Sequence, residues 1–266
     1  LDYMDEVIEA EGIRDLIHYQ HEVVNSSWSS EDQVWTVTVH RTDTDETLTY
    51  TAGFLWMCQG YYRHDQGFTP DFPGRDRFQG QIIHPQTWPD DAAIDGKRVA
   101  VIGSGATAAT LVPAIAARTA HTTIIQRSPT YYFPKPNSHE LAELLQPLNL
   151  PDEWMHEIMR LKYLHDGAEV ARRSREEPDA LRDDLLAGVA EYLEGAVPMD
   201  PHFNPTSTPW HQRLAVVPGG DLLLALKAGD AAIVTDRILT FDETGIQLTS
   251  GQHIDADIIV TATGMD

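Results

Sequence analysis

A short glycine-rich segment carries the clearest chemistry in this sequence of 266 residues. Residues 103–108 read Gly-Ser-Gly-Ala-Thr-Ala, which matches the pattern G-x-G-x-x-[G/A]. The first glycine of this pattern permits a tight turn, the second lets a pyrophosphate approach the backbone, and the third small residue lets a helix pack closely on a strand. An anion would then lie at the helix N-terminus, where free N–H groups and the helix dipole favour negative charge. The candidate cofactor-binding residues are Gly103, Ser104, Gly105, Ala106, Thr107 and Ala108.

The residues around the turn predict the elements that such a site requires. The apolar run 98–102 is typical of a buried strand, residues 107–117 predict a helix of small residues, and 122–126 predicts the next strand. Strand, turn, helix and strand within about thirty residues make a βαβ unit. Pro113 lies inside the predicted helix and removes a backbone donor, so a bend is expected there. The alternative is a tight turn with a purely structural role.

The end of the second strand indicates which dinucleotide would bind. An NAD site commonly places Asp or Glu there to accept hydrogen bonds from the ribose 2′-hydroxyl, whereas this strand ends Gln126-Arg127-Ser128. Arg127 offers a planar fork of donors suited to a 2′-phosphate, and Ser128 offers a smaller donor. The sequence therefore predicts NADP(H) rather than NAD, with a solvated arginine as the alternative.

Composition restricts the remaining classes of function. With 19 Lys and Arg against 41 Asp and Glu, the net charge is −22, which disfavours nucleic acid and anionic membrane surfaces as partners. No run approaches the roughly 20 apolar residues of a membrane span, and the N-terminus lacks the pattern of a secretory signal. The single cysteine, Cys58, excludes an internal disulfide and a CxxC redox pair. The histidines show no metal-binding spacing, so no metal is assigned, and a cytoplasmic location is predicted.

The rest of the chain predicts an α/β fold with a Rossmann-like NADP-binding domain at 91–237. A charged helical insertion is expected at 138–200, with an apolar stripe formed by Trp154, Ile158, Leu161 and Leu164. The other expected elements are a helix at 1–11, antiparallel strands at 16–24, 34–39 and 48–51, a buried strand at 54–58, a Gly-, Pro- and Asp-rich linker, a helix at 221–228, a strand at 232–235, a hairpin at 238–254 and a buried strand at 256–261.

A second motif lies just before the glycine turn. Residues 78–89 read Phe-Gln-Gly-Gln-Ile-Ile-His-Pro-Gln-Thr-Trp-Pro, that is F-x-G-x-x-x-H-x-x-x-W-P. This segment resembles the fingerprint of the Baeyer-Villiger group of flavin-containing monooxygenases, which precedes the NADPH-binding turn in those enzymes. Residues 58–62, 209–213 and 257–264 are also similar to segments of that group. Within it, 202–205 and 212–213 are most similar to the branch that oxygenates ketones and thioamides.

The resemblance implies a mechanism and roles for single residues. Enzymes of this group bind FAD, reduce it with NADPH and form a C4a-peroxyflavin with O2, which inserts one oxygen atom into a ketone or oxidises a sulfur or nitrogen centre. By this resemblance Arg213 would stabilise negatively charged intermediates. His84 would couple domain movement to the position of the nicotinamide, and the turn with Thr263 and Gly264 would contribute to cofactor binding.

The sequence departs from the family at both ends. The resemblance implies a second G-x-G-x-x-G near the N-terminus and a long segment after Gly264, and the sequence has neither. Residues 1–90 are therefore expected to be a partial FAD-domain segment with its linker, and 238–266 a return to that partial domain. We expect this chain alone to bind NADP(H) at best weakly, to retain no FAD and to be inactive. Its oligomeric state is left open.

Three alternatives stay open from the sequence. A flavin-free NADP-dependent reductase is suggested by Tyr131 and Lys135, which have Y-x-x-x-K spacing, but Pro134 and Pro136 make this segment a loop rather than the required helix. A non-catalytic nucleotide-binding module would also fit. The third is a nitrogen- or sulfur-oxygenating flavin monooxygenase outside the Baeyer-Villiger group, in which Trp88 is not expected.

Overall fold

The structure, a computed structural model, describes residues 2–63 and 65–265. Contacts divide the chain into two units, Leu1–Tyr61 and Tyr62–Asp266. The first unit contains α1 (Asp2–Ala10) and the strands β1 (His21–Ser29), β2 (Val34–Arg41) and β3 (Glu46–Ala52). The strands form an antiparallel sheet in the order β1-β2-β3, which confirms the predicted meander. The predicted helix is confirmed over the described residues; Leu1 lies outside them.

The first strand begins later than predicted. Residues Arg14–Leu16 form a short 3-10 helix, and pairing with β2 starts only at His21. The predicted strand at 54–58 is wrong, because these residues have no strand partner among those that the structure describes. The side chains of Phe54, Trp56 and Met57 are exposed, Trp56 by 80%, and Leu55 is half-buried. An apolar run predicts a buried strand only where neighbouring elements cover both of its faces, and here they do not.

The second unit is built on a parallel sheet with the strand order β4-β13-β5-β6-β9. Its elements, in chain order, are β4 (Gln81–Ile83), β5 (Arg98–Ile102), α2 (Ala106–Ala116), β6 (His121–Gln126), β7 (Tyr132–Lys135), α3 (Glu140–Leu145), α4 (Asp152–Glu176), α5 (Pro178–Leu193), α6 (Met199–His202), β8 (Ala215–Pro218), α7 (Asp221–Ala228), β9 (Ala231–Thr235), β10 (Ile238–Phe241), β11 (Gly245–Leu248), β12 (His253–Asp255) and β13 (Ile258–Thr261). The predicted βαβ unit and the α/β fold class are confirmed.

Both faces of the parallel sheet are buried, which explains the unbroken apolar runs of its strands. In β5, Val99 and Val101 pack in the core formed with α2 and α7, while Ala100 and Ile102 pack in the core formed with β10–β12. The predicted hairpin is confirmed at β10 and β11, and β12 adds a third antiparallel strand. Alternation along one strand thus divides its side chains between two cores.

The helical insertion packs through a different helix from the one predicted. α5 buries Leu181, Leu185, Val189 and Leu193 at intervals of four residues. By contrast α4 has no buried residue, and Trp154 on the predicted apolar stripe is 66% exposed. The stripe prediction is wrong because α5 already occupies the space next to the core, so that α4 contacts α5 mainly through residues such as the partly buried Val170.

Two segments predicted to lie outside the NADP-binding domain contribute strands to its sheet. β4 comes from the predicted linker, and β13 comes from the segment 238–266. β13 lies between β4 and β5 and pairs with both in parallel. The division between the two units follows Tyr61. The predicted domain bounds at 90 and 237 stay predictions. Assignment of the flanking segments to a flavin domain stays a prediction.

Candidate functional site

A cavity of about 740 Å³ opens at the carboxyl ends of the parallel strands. Loops after four strands line it: Gly103 and Ser104 follow β5, Arg127 and Ser128 follow β6, Arg237 follows β9 and Thr263 follows β13. In open α/β sheets this edge is the usual place for a ligand, because loops from several strands converge there. The structure therefore brings five of the predicted cofactor-binding residues around one cavity.

The two glycines of the turn have different structural surroundings. Gly103 has φ +121°, and a Cβ atom added to it would lie 2.4 Å from the carbonyl oxygen of Ala262. The fold itself therefore requires glycine at 103. A Cβ atom added to Gly105 would meet nothing within 4 Å, although Gly105 directly precedes α2 as its N-cap residue. The absence of a side chain at 105 leaves the first N–H groups of α2 open to an approaching anion.

Thr130 and Tyr132 hold Ser104 in place through hydrogen bonds. Its Oγ lies 3.1 Å from Oγ1 of Thr130, and its carbonyl oxygen accepts a 3.1 Å hydrogen bond from the hydroxyl of Tyr132. Burial raises the pKa of Tyr132, so the phenol stays protonated and remains a donor. The remaining turn residues are the start of α2, where Ala108 is fully buried against the sheet. Packing thus fixes the backbone that would contact a ligand.

Two arginines approach the cavity from neighbouring strands. Gln126 and Thr235, the last residues of β6 and β9, are register partners, and Arg127 and Arg237 follow shortly after them. Both arginines are exposed, and neither forms an ion pair with the acidic residues that the structure describes. Sequence reasoning missed Arg237. The signal was present, because Arg237 follows the predicted strand at 232–235 as Arg127 follows the predicted strand at 122–126.

An apolar wall faces the arginines. Phe68, Pro70, Phe72 and Pro73 line the cavity, and the ring of Phe72 stacks on Phe241 with centroids 5.2 Å apart. These residues belong to the predicted linker, and their composition alone gave no sign of this position. Asp71 and Asp236 also line the cavity. The cavity therefore combines two arginines, which suit phosphates, with aromatic and proline surfaces, which suit a flat ring.

His84 lies directly after β4 and holds the turn that follows β13. Its Nδ1 accepts a hydrogen bond from the backbone N–H of Gln86 at 3.1 Å, so its Nε2 carries the proton and donates to the carbonyl oxygen of Gly264 at 3.0 Å. Its ring occupies the space that a side chain at Gly67 would need. Thr263 in the same turn bonds through its hydroxyl to the carbonyl oxygen of Phe68. His84 thus positions the turn and is not itself among the cavity residues.

Arg213 lies apart from this cavity. It precedes β8, is exposed, and its Nη2 lies 3.5 Å from the hydroxyl of Tyr62. The structure therefore does not bring Arg213 next to the glycine turn, and its catalytic role stays a prediction. Within the described part of the chain no cluster of three or more His, Cys, Asp or Glu could hold a metal ion. No described helix has the length and apolar character of a membrane span.

Comparison with known proteins decides the family. The model of the family described as FMO-like, flavin-binding monooxygenase-like, matches residues 1–136. The chain belongs to this flavin-binding monooxygenase-like family. The resemblance drawn from residues 78–89 is thereby confirmed at the level of the family.

Several relatives of this family member cover nearly all of its length. MymA of Mycobacterium tuberculosis is 45% identical over 259 residues, which are 96% of this chain and 52% of MymA. The FAD-containing monooxygenase EthA of Mycolicibacterium smegmatis is 42% identical over 265 residues, 99% of this chain and 53% of EthA. A steroid monooxygenase solved with bound NADP matches with a TM-score of 0.69 and 26% identity over all of this chain and 56% of that structure. The chain spans about half the length of the relatives it matches.

Proposed function

We propose that the cavity binds NADP(H), with its pyrophosphate at the start of α2 and its 2′-phosphate between Arg127 and Arg237. The observation that carries this proposal is the pair of arginines beside the glycine turn, which form no ion pair with the described acidic residues, in a chain of net charge −22. An acidic surface repels a polyanionic coenzyme, so attraction has to come from local groups. Arg127, Arg237 and the N-terminus of α2 are such groups, and Ser104 and Ser128 add donors.

The residues of the cavity fit this coenzyme in size and chemistry. The open space beside Gly105 lets phosphate oxygens reach the first N–H groups of α2. No carboxylate stands where NAD-specific sites bind the ribose 2′-hydroxyl, since Gln126 is followed by Arg127. The wall with Phe72 offers a surface for a flat ring. When bound, NADPH supplies a hydride, and the residues of this chain bind and orient the coenzyme.

Calorimetric titration of the chain with NADPH and NADH tests this proposal. We expect Arg127→Ala to weaken NADPH binding about tenfold, the value of one charge-assisted hydrogen bond, and to leave NADH binding nearly unchanged. Arg175→Ala is the matched control, because Arg175 is an exposed arginine on α4, away from the cavity. If Arg127→Ala leaves the preference for NADPH unchanged, the assignment of the 2′-phosphate site is wrong.

For the polypeptide to which this sequence belongs, we propose an FAD- and NADPH-dependent monooxygenase of the Baeyer-Villiger type. Its substrates would be O2 and a small ketone, sulfide or thioamide, and it would act in the cytoplasm. Support comes from the fingerprint at 78–89 and from relatives described as FAD-containing monooxygenases. In this proposal FAD supplies the oxygen-transfer chemistry, and this chain supplies the coenzyme-binding domain at 91–237. Arg213 would stabilise negative charge during oxygen transfer.

The fit to FAD differs from the fit to NADP. This sequence has one segment of the form G-x-G-x-x-[G/A], at 103–108, and its residues Gly103 and Ser104 line the cavity that we assign to NADP(H). Thr263 and Gly264 are the residues that we assign to cofactor contact near His84. We therefore expect the purified chain to carry no flavin absorbance, and about one equivalent of bound flavin would overturn that expectation. Oxygenation is tested in the polypeptide that contains this chain, by mass spectrometry of ester formation from a ketone and sulfoxide formation from a sulfide.

A further inference from the structure

A buried polar cluster lies beneath the two arginines of the cavity. Gln126 is only 1% exposed, and its Nε2 donates to the carbonyl oxygen of His202 at 2.7 Å and to Oγ1 of Thr235 at 2.8 Å. The Nδ1 of His202 lies 2.8 Å from the same Oγ1. The cluster therefore joins the ends of β6 and β9 to the end of α6.

The donors and acceptors of this cluster fix its arrangement. The carbonyl oxygen of His202 can only accept, so the NH2 group of Gln126 must face it. Both protons of that NH2 group are then used, one of them toward Thr235. The hydroxyl of Thr235 accepts this hydrogen bond and donates its own proton to Nδ1 of His202, which must be unprotonated. Burial lowers the pKa of His202 and so favours the neutral ring.

One atom of the cluster shows that it has more than a packing role. Oε1 of Gln126 is buried without a hydrogen-bond partner among the described residues. An apolar side chain of similar size would avoid this cost, and buried polar groups that lack a partner call for an explanation. The two hydrogen bonds from Nε2 supply one, because they tie the last residue of β6 in two directions directly before Arg127.

We propose that Gln126, Thr235 and His202 are positioning residues that set the spacing of Arg127 and Arg237 and thereby the selectivity for a 2′-phosphate. This inference rests on the proposed NADP(H) site. Neighbouring strands lie about 4.8 Å apart, so two arginines that follow paired strand ends can reach one phosphate only if those ends keep their relative position. The glycine turn is held separately by Tyr132 and Thr130, so contacts to the 5′-phosphate do not depend on the cluster.

Thr235→Val tests the proposal, because it removes the hydroxyl at nearly constant volume. The probes are adenosine 2′,5′-bisphosphate and 5′-AMP, which differ only in the 2′-phosphate, titrated into the chain by calorimetry. We expect the ratio of their affinities to fall about fivefold, the factor that one net hydrogen bond represents, while the affinity for 5′-AMP is unchanged. Thr235→Ser restores the hydroxyl and should restore the ratio.

Three controls separate positioning from stability. Thr123→Val makes the same change on β6 three residues before Gln126, at a position that does not line the cavity, and should leave the ratio intact. In the Arg127→Ala background, Thr235→Val should lower the ratio no further, because its effect acts through the arginine. If Thr235→Val fails to fold, His202→Leu removes the acceptor Nδ1 of His202 instead and should lower the ratio of affinities. His202→Asn retains an acceptor at this position and should restore the ratio.

Each outcome has a defined meaning. A parent chain without preference for the 2′-phosphate overturns the proposed NADP(H) site and this inference together. A parent preference that survives both Thr235→Val and His202→Leu overturns only the inference. Equal losses for the two probes also overturn it, because they indicate a general loss of structure rather than an altered position of the arginines.

Discussion

At the amino ends of its strands the parallel sheet pairs its charges, whereas at the carboxyl ends it leaves two arginines without an acidic partner among the described residues. Arg98, which begins β5, bonds to Asp257 at 2.8 Å and to Asp255 at 3.2 Å. Arg127 and Arg237 line the cavity at the opposite edge. One sheet therefore uses the same residue type in two ways.

The difference separates residues that hold the fold from residues that are available to a ligand. With 41 acidic residues in the chain, an exposed arginine readily finds an acidic neighbour, as Arg98 does. The cavity around Arg127 and Arg237 is lined mainly by glycine, serine, proline and phenylalanine, together with Asp71 and Asp236. The carboxylate of Asp236 accepts hydrogen bonds from Thr249 and Ser250 and forms no ion pair with either arginine among the described residues. The two arginines therefore suit an anion, and substitutions at the two edges should have separable effects on stability and binding.

The largest effect is expected from the glycine turn at the carboxyl edge. Gly103→Ala would place a methyl group against the carbonyl oxygen of Ala262 at a positive φ, so we expect a loss of about 3 kcal/mol in the free energy of unfolding. Gly105→Ala meets no atom within 4 Å and should leave stability within about 1 kcal/mol of the parent while it weakens NADPH binding. Urea unfolding and calorimetric titration measure the two quantities.

This pair of variants divides the turn into a structural and a binding glycine. Equal stability of the two variants would show that the close approach to Ala262 does not constrain residue 103. Unchanged NADPH affinity in Gly105→Ala would show that the start of α2 is not the phosphate site.

A smaller effect is expected from Arg237. Arg237→Ala should lower the affinity for adenosine 2′,5′-bisphosphate about fivefold, because one of two cations beside the phosphate is lost, and should leave the affinity for 5′-AMP unchanged. Arg98→Met is the contrasting variant at the amino edge, since it should lower the unfolding temperature without altering either affinity. The assignment of binding to the carboxyl edge and of stability to the amino edge would be wrong if Arg98→Met changed the affinities and Arg237→Ala changed only the unfolding temperature.

The strand, turn and helix around residues 103–108 could be predicted from the sequence because local spacing encodes them. The pattern at 103–108, the flanking strands and Arg127 were all predicted from neighbouring residues, and the structure places Gly103, Ser104 and Arg127 around one cavity. Arg237 could have been found by extending the same reasoning to the next parallel strand. These features depend on the order of strand, turn and helix, which a short segment determines.

Features that depend on distant packing were not predictable in the same way. The wall with Phe72 and the strand β4 arise from a segment whose composition indicated a linker. Trp154 is exposed because α5, rather than α4, packs against the core. The pairing of β13 with β5 likewise joins residues far apart in the chain, and a pattern within one segment cannot specify its neighbours in the sheet.

The smallest effect is expected at the amino edge and depends on pH. The guanidinium and backbone N–H of Arg98 hold the pKa of Asp257 at about 2, below its ordinary value of about 3.9. A carboxylate with a lowered pKa in the folded state contributes stability above its unfolded pKa, and this contribution is lost as the pH falls from about 4 toward 2.

Asp257→Asn should lower the free energy of unfolding by about 1 kcal/mol at pH 7, a modest loss because the carboxylate of Asp257 is partly solvated. The variant should also flatten the decline in unfolding temperature below pH 4. Thermal unfolding between pH 7 and pH 3 measures both the loss of stability at pH 7 and the decline in unfolding temperature below pH 4. The control for a general change in charge is Asp230→Asn, which replaces an exposed acid at the turn before β9. An unaltered slope in Asp257→Asn would mean that the paired charges at this edge do not govern acid stability, and the contrast between the edges would then rest on binding alone.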